Sequence, residues 1–388
     1  MSKYCAKRAG SENRALAKEV VSLIEAHPGN IDFSGRRIDP ALFPVAELKA
    51  ASQEILRTKG AEALQYSSSH DYMPLKEELA KRYAKFGLNF AAENFTITNG
   101  SIQAVDMLLK VLVNEGDTIL VESPLSWRLR QTMSMYLPNA VEIPVTDDGV
   151  DLAALEAHMK SDKPKFFFCS PNYQEPTGVV YSEAQRHEIA RLAKEHDCIV
   201  VEYDVYSELG PTEARLPYIQ PETDGYGIVI GSVSQLIGPG LRIGWVCCTH
   251  PVLMKYFTEA KQKTDSHANG LIQRVLWQYL AGTDVAAQAE KARTVAAAKR
   301  AAALDAASAL AGKAAFRAPT GGDFLWLSLP EGSDSVAAFR KALAAGVSVI
   351  PGKLFGSSAE CARSLYLSFG GATAEQIKEG FTALAAAL

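Results

Sequence analysis

KFFFCSPNYQEPTGVVYSEAQRHEIARLAKEHDCIVVEYD, residues 165–204, is the stretch that decides the fold. Two continuously apolar runs, KFFFCS (165–170) and CIVVEYD (198–204), flank an amphipathic segment, SEAQRHEIARLAKEHD (182–197), that has helical spacing. Strands buried on both faces have such unbroken apolar runs, and a helix between two of them predicts a parallel crossover. The stretch therefore predicts an α/β fold with a mostly parallel sheet.

The same alternation continues on both sides of this stretch. Further runs typical of buried strands are FTITNG (95–100), TILVES (118–123), GIVIGS (227–232) and IGWVCC (243–248). After residue 283 an Ala-rich helical stretch leads into FLWLSLP (324–330), VSVIPG (347–352) and LYLSF (365–369). We expect a large domain over residues 46–283 and a smaller α+β domain over residues 284–388. Residues 1–45 are predicted to form an N-terminal arm and part of the small domain.

Composition excludes several classes of protein. The chain has 388 residues, 47% hydrophobic and 22% charged, which is ordinary globular composition. A net charge of −4 without a basic block argues against nucleic-acid binding, so a small-molecule ligand is the better expectation. No apolar run suits a membrane span or a secretion signal, which predicts a cytoplasmic protein. Six cysteines without CxxC spacing predict reduced core thiols rather than disulfides or a metal site.

Glycines and polar residues cluster where the predicted strands end. NGSIQ (99–103), SPNYQEPTG (170–178), EYDVY (202–206) and GSVSQLIGPGLRIGW (231–245) each follow a strand. Open α/β sheets bind ligands outside the carboxyl ends of their strands, where helix N-termini present backbone amides. The sequence therefore predicts one ligand site at this edge, with an anion-binding turn at Gly100 and Ser101.

In their order along the chain and in their residue patterns, these segments resemble the fold-type I aminotransferases of class I/II, which use pyridoxal phosphate. The resemblance covers nearly the whole chain and is strongest to the kynurenine/aminoadipate aminotransferases and the aminotransferase-like domain of MocR regulators. It implies the aminotransferase fold, with a seven-stranded sheet in the large domain, and a homodimer with shared active sites. No DNA-binding module precedes the resemblance, which favours an enzyme over a regulator.

The phosphate-binding part of the family pattern is intact. The resemblance implies phosphate contacts from Ser101, Gln103, Ser232, Ser234 and Arg242. A helix N-terminus, hydroxyl groups and a guanidinium are the donors that a phosphate dianion prefers. The other cofactor contacts that the resemblance implies are Tyr66, which reaches the partner subunit's phosphate, Trp127, which stacks on the ring, and Tyr206.

The positions that perform chemistry in the family are changed. Gln235 stands where the family has the lysine that binds the cofactor covalently, and glutamine has neither a nucleophilic amine nor a titratable proton. Tyr203 replaces the aspartate that pairs with the pyridine nitrogen, and Glu175 replaces the asparagine beside the phenolic oxygen. Tyr366 replaces the arginine that binds the substrate carboxylate. Any pyridoxal or pyridoxamine phosphate would therefore be held non-covalently, or the cofactor is lost.

New polar residues accompany these changes. We predict Glu175, His70, Tyr203 and Gln235 as catalytic residues, since a histidine and a carboxylate supply acid/base chemistry. The predicted substrate contacts are Arg36, Tyr72, Asn172 and Tyr366. No metal site is predicted. Three lysines on the helix after this region are predicted to be solvated rather than substitutes for the missing lysine, namely Lys255, Lys261 and Lys263.

Three functional hypotheses remain open from the sequence. The first is a diverged enzyme that acts on a small amino-acid-like or phosphate-bearing metabolite by non-transaminase chemistry, in a specialised biosynthetic pathway. The second keeps transaminase-like chemistry, with the cofactor entering as a preformed aldimine or as pyridoxamine phosphate. The third is a non-catalytic relative that binds a ligand; the ionisable character of the substitutions favours the first two.

Overall fold

The computed structural model describes residues 4–10, 14–35, 37–67, 70–211 and 216–388. Arg36, a predicted substrate contact, lies outside the described residues. The α-helices are α1 (Arg14–Glu25), α2 (Val45–Leu64), α3 (Met73–Ala84), α4 (Ser101–Leu112), α5 (Trp127–Ser134), α6 (Leu152–Asp162), α7 (Glu183–Glu195), α8 (Pro251–Asp265), α9 (Gly270–Gly282), α10 (Val285–Ala306), α11 (Ser335–Ala344), α12 (Ala359–Ala362) and α13 (Ala374–Ala387). The strands are β1 (Ile31–Asp32), β2 (Phe95–Thr98), β3 (Thr118–Ser123), β4 (Asn139–Pro144), β5 (Phe166–Cys169), β6 (Ile199–Asp204), β7 (Gly227–Ser232), β8 (Gly244–Cys247), β9 (Ala315–Phe316), β10 (Phe324–Ser328), β11 (Val347–Ser348), β12 (Ile350–Pro351) and β13 (Ser364–Ser368).

Seven strands form the main sheet, in the order β2-β8-β7-β6-β5-β3-β4. The pairs from β7 through β6, β5 and β3 to β4 are parallel, whereas β8 runs antiparallel to both of its neighbours. The predicted α/β fold with a mostly parallel sheet is confirmed. Because β2 and β7 both pair with β8, the turns that follow β2 and β7 lie at the same edge of the sheet.

The main sheet is covered by helices on both faces, which explains its unbroken apolar strands. Successive side chains of a strand point to opposite faces. Phe166 and Phe168 accordingly pack with Phe257 of α8 in one apolar cluster, whereas Phe167 packs with Ile189 of α7 in another. All five side chains are fully buried.

A second layer contains an antiparallel sheet in the order β12-β13-β10-β9, together with a parallel pair of β1 and β11. Helices α10, α11 and α13 pack around this layer. The predicted Ala-rich helix is confirmed as α10, whose buried face consists of alanines that allow close packing. These smaller sheets confirm the additional α+β part that the sequence predicts.

Two features differ from the sequence prediction. VSVIPG forms two short strands rather than one, because β11 pairs with β1 while β12 pairs with β13. The edge strand β4 is absent from the predicted strands; its mostly exposed residues give little apolar signal. Across the described parts of the chain, no helix combines the length and the apolar character that crossing a membrane requires.

Candidate functional site

The site begins with the turn between β2 and α4. Gly100 caps α4 at a φ of 88°, a backbone conformation that favours glycine. A Cβ atom at Gly100 would overlap the guanidinium of Arg242, so the absence of a side chain creates the space for that group. A Cβ atom on Gly244 would lie 2.6 Å from the backbone nitrogen of Ser101. Two glycines therefore permit β8, Arg242 and the start of α4 to approach closely.

Arg242 is held by backbone carbonyl groups at this turn. Its Nη2 donates to the carbonyl oxygen of Asn99 at 3.0 Å, and its Nη1 donates to that of Pro239 at 3.2 Å. The side chain is exposed, so the guanidinium is accessible to a ligand. An arginine fork beside the first amides of α4 is an arrangement that suits a phosphate.

Two serines lie at the end of β7. Ser232 Oγ donates to Ser234 Oγ at 2.9 Å, and the Ser234 amide donates to Ser232 Oγ at 3.1 Å. Ser232 pairs with Gly244 across the sheet, and Gly244 pairs in turn with Thr98 at the end of β2. The order of the strands thus places both hydroxyl groups at the edge where α4 begins. We call Ser101, Ser232, Ser234, Arg242 and the first amides of α4 the anion cup.

Tyr203 extends from β6 to the anion cup. Its hydroxyl group lies 2.8 Å from Oγ of Ser101, and its side chain is buried. The ring packs 5.7 Å from that of Phe168 in the core. One predicted catalytic residue and one predicted phosphate contact therefore share a direct hydrogen bond.

Gln103 also lies in the first turn of α4, but its carboxamide makes internal hydrogen bonds. Oε1 accepts from the Asn99 amide at 2.7 Å, and Nε2 donates to Oδ2 of Asp265 at 2.8 Å. Asp265 also pairs with Lys261, whose side chain has no exposed surface. The prediction of solvated lysines is confirmed for Lys255 and Lys263 and is wrong for Lys261.

Glu175 and Tyr366 join the two main layers of the fold. The Tyr366 hydroxyl group donates to Oε1 of Glu175 at 3.0 Å, and both side chains are buried. Glu175 lies in the loop after β5, whereas Tyr366 lies on β13. Tyr206 contributes to the same boundary, because its ring packs 5.2 Å from that of Phe324 on β10. Two predicted site residues that are far apart in sequence are thus in contact.

Asn172 lies in the same loop as Glu175 and is held on both sides. Its Oδ1 accepts from Nη2 of the buried Arg186 at 2.8 Å, and its Nδ2 lies 3.5 Å from Oδ1 of Asp204. Arg186 also donates to the carbonyl oxygen of Pro171 at 2.9 Å. Asn172 therefore has a fixed orientation, which a substrate contact would require.

A buried carboxylate beneath this loop fixes its conformation. Glu122 accepts from the Ser170 amide at 2.8 Å, from Nε2 of Gln174 at 3.2 Å and from the hydroxyl group of Tyr181. Burial raises the pKa of Glu122 to about 7, although these hydrogen bonds act in the opposite direction. Glu202 on β6 is a second such group, because burial raises its pKa to about 7.

Gln235 lies in the turn after β7, beside a small cavity of about 20 Å³ that Asp204 and Tyr218 also line. This cavity adjoins a larger one of about 520 Å³, and both are lined by Arg82 and Glu208, which form an ion pair. Gln235 therefore lies where the smaller cavity meets the end of β7.

The remaining predicted residues surround this centre. Tyr66 is 90% exposed, with its ring 6.3 Å from that of His267. His70 is exposed, and Tyr72 is half-buried with the Arg274 guanidinium 4.7 Å from its ring centre. Trp127 is half-buried at the first position of α5. The roles of these residues stay predictions.

Asp71 is a buried acid that is not among the predicted site residues. Its Oδ2 accepts from the Ile97 amide of β2 at 2.9 Å, and burial raises the pKa of Asp71 to about 6. Its φ of 63° lies in the left-handed region that aspartate tolerates. In the described ranges, no group of three or more His, Cys, Asp or Glu side chains has the geometry to hold a metal ion.

Pyridoxal phosphate, the cofactor that the resemblance implies, fits this site only in part. The anion cup supplies the guanidinium, hydroxyl and amide donors that its phosphate requires. The ring does not fit equally well, because Tyr203 is longer than the aspartate that the resemblance implies for this position and its hydroxyl group already bonds Ser101. Gln235 supplies no amine for a covalent bond.

Comparisons with known proteins identify the family to which the chain belongs. Residues 38–384 match the family model described as aminotransferase class I and II. The 2-aminoadipate transaminase of Thermus thermophilus is 33% identical over 387 residues, covering 98% of this chain and 96% of that protein. Aromatic-amino-acid aminotransferase 1 of Thermococcus litoralis is 30% identical, covering 99% and 93%. Among solved structures, the α-aminoadipate aminotransferase of Thermus thermophilus, in complex with N-(5'-phosphopyridoxyl)-L-leucine, has a TM-score of 0.91 at 32% identity, covering 100% of this chain and 97% of that chain.

Proposed function

The chain belongs to the class I and II aminotransferase family, and on that premise we propose that it is a diverged enzyme that no longer performs lysine-based transamination. In this proposal Gln235 stands at the position of the family's catalytic lysine. The ligand is a small amino-acid-like or phosphate-bearing metabolite, bound by its phosphate in the anion cup. The reaction belongs to a specialised biosynthetic pathway.

The observation that supports this proposal most directly is the hydrogen bond between Tyr203 and Ser101. At position 203 the family pattern has the partner of the pyridine nitrogen, whereas Ser101 is a phosphate contact. A tyrosine whose hydroxyl group reaches Ser101 takes up space that a pyridine ring would need. A phosphate on a smaller or differently shaped molecule would not meet this obstacle.

The contact between Glu175 and Tyr366 supports the same conclusion. An arginine at position 366 would attract a substrate carboxylate, whereas a buried carboxylate beside a phenol repels one. The pair instead suits a ligand that presents a hydrogen-bond donor or a cationic group. We propose that Glu175 accepts a proton from the ligand, and that Tyr366 keeps the carboxylate oriented for this transfer.

A second candidate function is favoured by the intact anion cup. The family depends on pyridoxal phosphate, and Arg242 with Ser232 and Ser234 retains the donors for its phosphate. In this alternative the protein takes pyridoxal or pyridoxamine phosphate non-covalently and keeps transaminase-like chemistry. The cofactor would supply an electron-withdrawing ring, while Asn172 and Glu175 would orient the amine substrate.

We further propose a cytoplasmic homodimer. The exposed ring of Tyr66 supports shared sites, because a large aromatic group that is 90% exposed in one chain gains by burial against a second. The free cysteines Cys169, Cys198, Cys247, Cys248 and Cys361 are buried, which suits a reducing compartment. Sedimentation velocity of wild type and Tyr66→Ala tests the dimer. We expect the dimer of the variant to dissociate into monomers at a higher protein concentration than the wild-type dimer does.

The experiment that tests the main proposal is native mass spectrometry with visible absorbance spectroscopy. The purified protein is measured as isolated and after incubation with pyridoxal phosphate. We expect no imine absorbance and no retained adduct, while inorganic phosphate competes with phosphorylated metabolites for the cup. A releasable adduct with the mass of pyridoxal phosphate would instead support the second candidate. A stable imine band in wild type would contradict both.

A further inference from the structure

An ion pair whose cation is fully buried lies behind the first turn of α4. The ammonium group of Lys261 has no exposed surface and pairs with Oδ1 of Asp265 on the same helix. The two residues are four positions apart, so they lie on one face of α8. Asp265 keeps 24% of its side-chain surface exposed, but the ammonium group of Lys261 is removed from water, and an apolar side chain of similar volume in its place is often at least as stable. Fold stability alone is therefore a weak explanation for this pair.

The second oxygen of Asp265 connects the ion pair to the turn that precedes α4. Oδ2 accepts from Nδ2 of Asn99 at 3.0 Å and from Nε2 of Gln103 at 2.8 Å. Gln103 completes a ring of hydrogen bonds, because its Oε1 accepts from the Asn99 amide at 2.7 Å. Asn99 is consequently held through both its side chain and its backbone nitrogen.

The same network ends at the arginine of the anion cup. The carbonyl oxygen of Asn99 accepts from Nη2 of Arg242 at 3.0 Å. The peptide that follows this carbonyl belongs to Gly100, over which the guanidinium lies. Any displacement of Asn99 would therefore move the acceptor of Arg242 and the first amides of α4 together.

We propose that Lys261 and Asp265 are positioning residues, which hold Asn99 and thereby set the geometry in which Arg242 and α4 bind a phosphate. The inference rests on the proposed function in one respect, namely that the anion cup binds a phosphate group. It does not depend on whether a pyridine ring is attached to that phosphate.

The network requires a carboxylate at position 265. Asp265 accepts from three donors, the ammonium of Lys261 and the two side-chain amides of Asn99 and Gln103. An asparagine there would offer a single acceptor oxygen and would turn an amide donor toward another donor. It would also leave the ammonium of Lys261 buried without its counter-charge.

The test compares Asp265→Asn with a matched control on the same helix. Glu259 and Lys263 have the same spacing of four residues, but their side chains are 37% and 78% exposed. Inorganic phosphate and pyridoxamine phosphate are the probes, titrated into the purified full-length chain by calorimetry. We expect Asp265→Asn to weaken the affinity for a bound probe about tenfold or more, since hydrogen bonds to charged groups are lost. Glu259→Gln should change that affinity less than twofold.

Two further measurements separate positioning from general destabilisation. Met254→Ala removes a buried apolar side chain from the same helix and should lower stability without changing phosphate affinity. Hydrogen exchange of the amides from residue 99 to residue 103 should accelerate in Asp265→Asn, with or without phosphate. If Asp265→Asn does not fold, Lys261→Met combined with Asp265→Asn removes both charges and should show the same loss of affinity.

The outcomes distinguish this inference from the proposed function. A wild-type protein that binds neither probe contradicts the anion cup itself. Wild-type affinity and unchanged amide exchange in the folded single or double variant overturn the positioning role and leave the cup intact. A loss of affinity in Met254→Ala as large as in Asp265→Asn would also overturn it, because destabilisation alone would then explain the effect.

Discussion

The hydroxyl groups of Tyr203 and Ser101 lie 2.8 Å apart, at the point where β6 ends beside the first turn of α4. Ser101 belongs to the anion cup, whereas the resemblance described above implies that Tyr203 stands where the family has the aspartate that pairs with the pyridine nitrogen. In the proposed function, this bond joins two groups that a bound pyridine ring would keep apart, and Tyr203 is the residue that hinders the ring.

This relationship predicts the result of restoring the lysine. We expect Gln235→Lys alone to give no imine absorbance with pyridoxal phosphate, because Tyr203 still fills the ring position. Gln235→Lys combined with Tyr203→Asp should give a visible imine band, since the aspartate is shorter and can pair with the ring nitrogen. Absorbance titration of both variants checks this. A band of equal strength in the single variant would show that Tyr203 is no obstacle.

Arg242 should dominate the affinity for phosphate. We expect Arg242→Ala to weaken binding of inorganic phosphate by about 2 kcal/mol or more, because a charge-assisted fork is lost from a helix N-terminus. Isothermal titration calorimetry measures the change. Arg191→Ala is the control, since Arg191 pairs with Glu188 and Glu195 on the surface of α7. Equal affinity in Arg242→Ala and wild type would place the phosphate elsewhere.

Glu175 and Tyr366 should be energetically coupled. The bond between them is buried and involves a carboxylate, so we expect a coupling free energy of about 1–3 kcal/mol in a double-mutant cycle. The cycle uses Glu175→Gln, Tyr366→Phe and the double variant, each unfolded in urea. Additive effects would indicate that the contact contributes nothing to the stability of the boundary between the two layers.

The protein should lose stability as the pH rises toward neutrality. Burial raises the pKa of Glu122 from 4.5 to about 7, so the folded state holds a proton that the unfolded state releases. The stability that this proton contributes is present below pH 4.5 and is lost as the pH rises through about 7. One such group corresponds to a change of about 3 kcal/mol. Urea unfolding between about pH 5 and 8 measures how the free energy of unfolding depends on pH. Glu122→Gln should make this dependence weaker. The same dependence in the variant and in wild type would exclude Glu122 as its source.

Much of the fold follows from sequence patterns, which also predict an anion-binding turn at Gly100 and Ser101; the other members of the anion cup are implied by the resemblance. Uniformly apolar strands such as Phe166–Cys169 are buried on both faces, so the pattern identifies them without tertiary information. Gly100 and Arg242 lie in turns at strand ends, where the topology of an open sheet brings ligand-binding groups together. The bounds of the two domains remain a prediction.

The pairings across the site could not be predicted in the same way. Glu175 and Tyr366 are 191 positions apart and belong to different layers, so no local spacing relates them. Lys261 lies on a helix whose other lysines are exposed, and helical periodicity does not show that this one faces α4. The only feature of the local sequence that indicates this ion pair is the spacing of four residues between Lys261 and Asp265.

The bond between Glu175 and Tyr366 also limits how single mutations could change the proposed ligand preference. An arginine at position 366 alone would face Glu175 and form a closed ion pair, leaving no free cation for a substrate carboxylate. An asparagine at position 175 alone would leave Tyr366 without its carboxylate partner and would still offer no cation. On the proposed function, neither single replacement creates a carboxylate-binding site, so we expect the two residues to be replaced together or not at all.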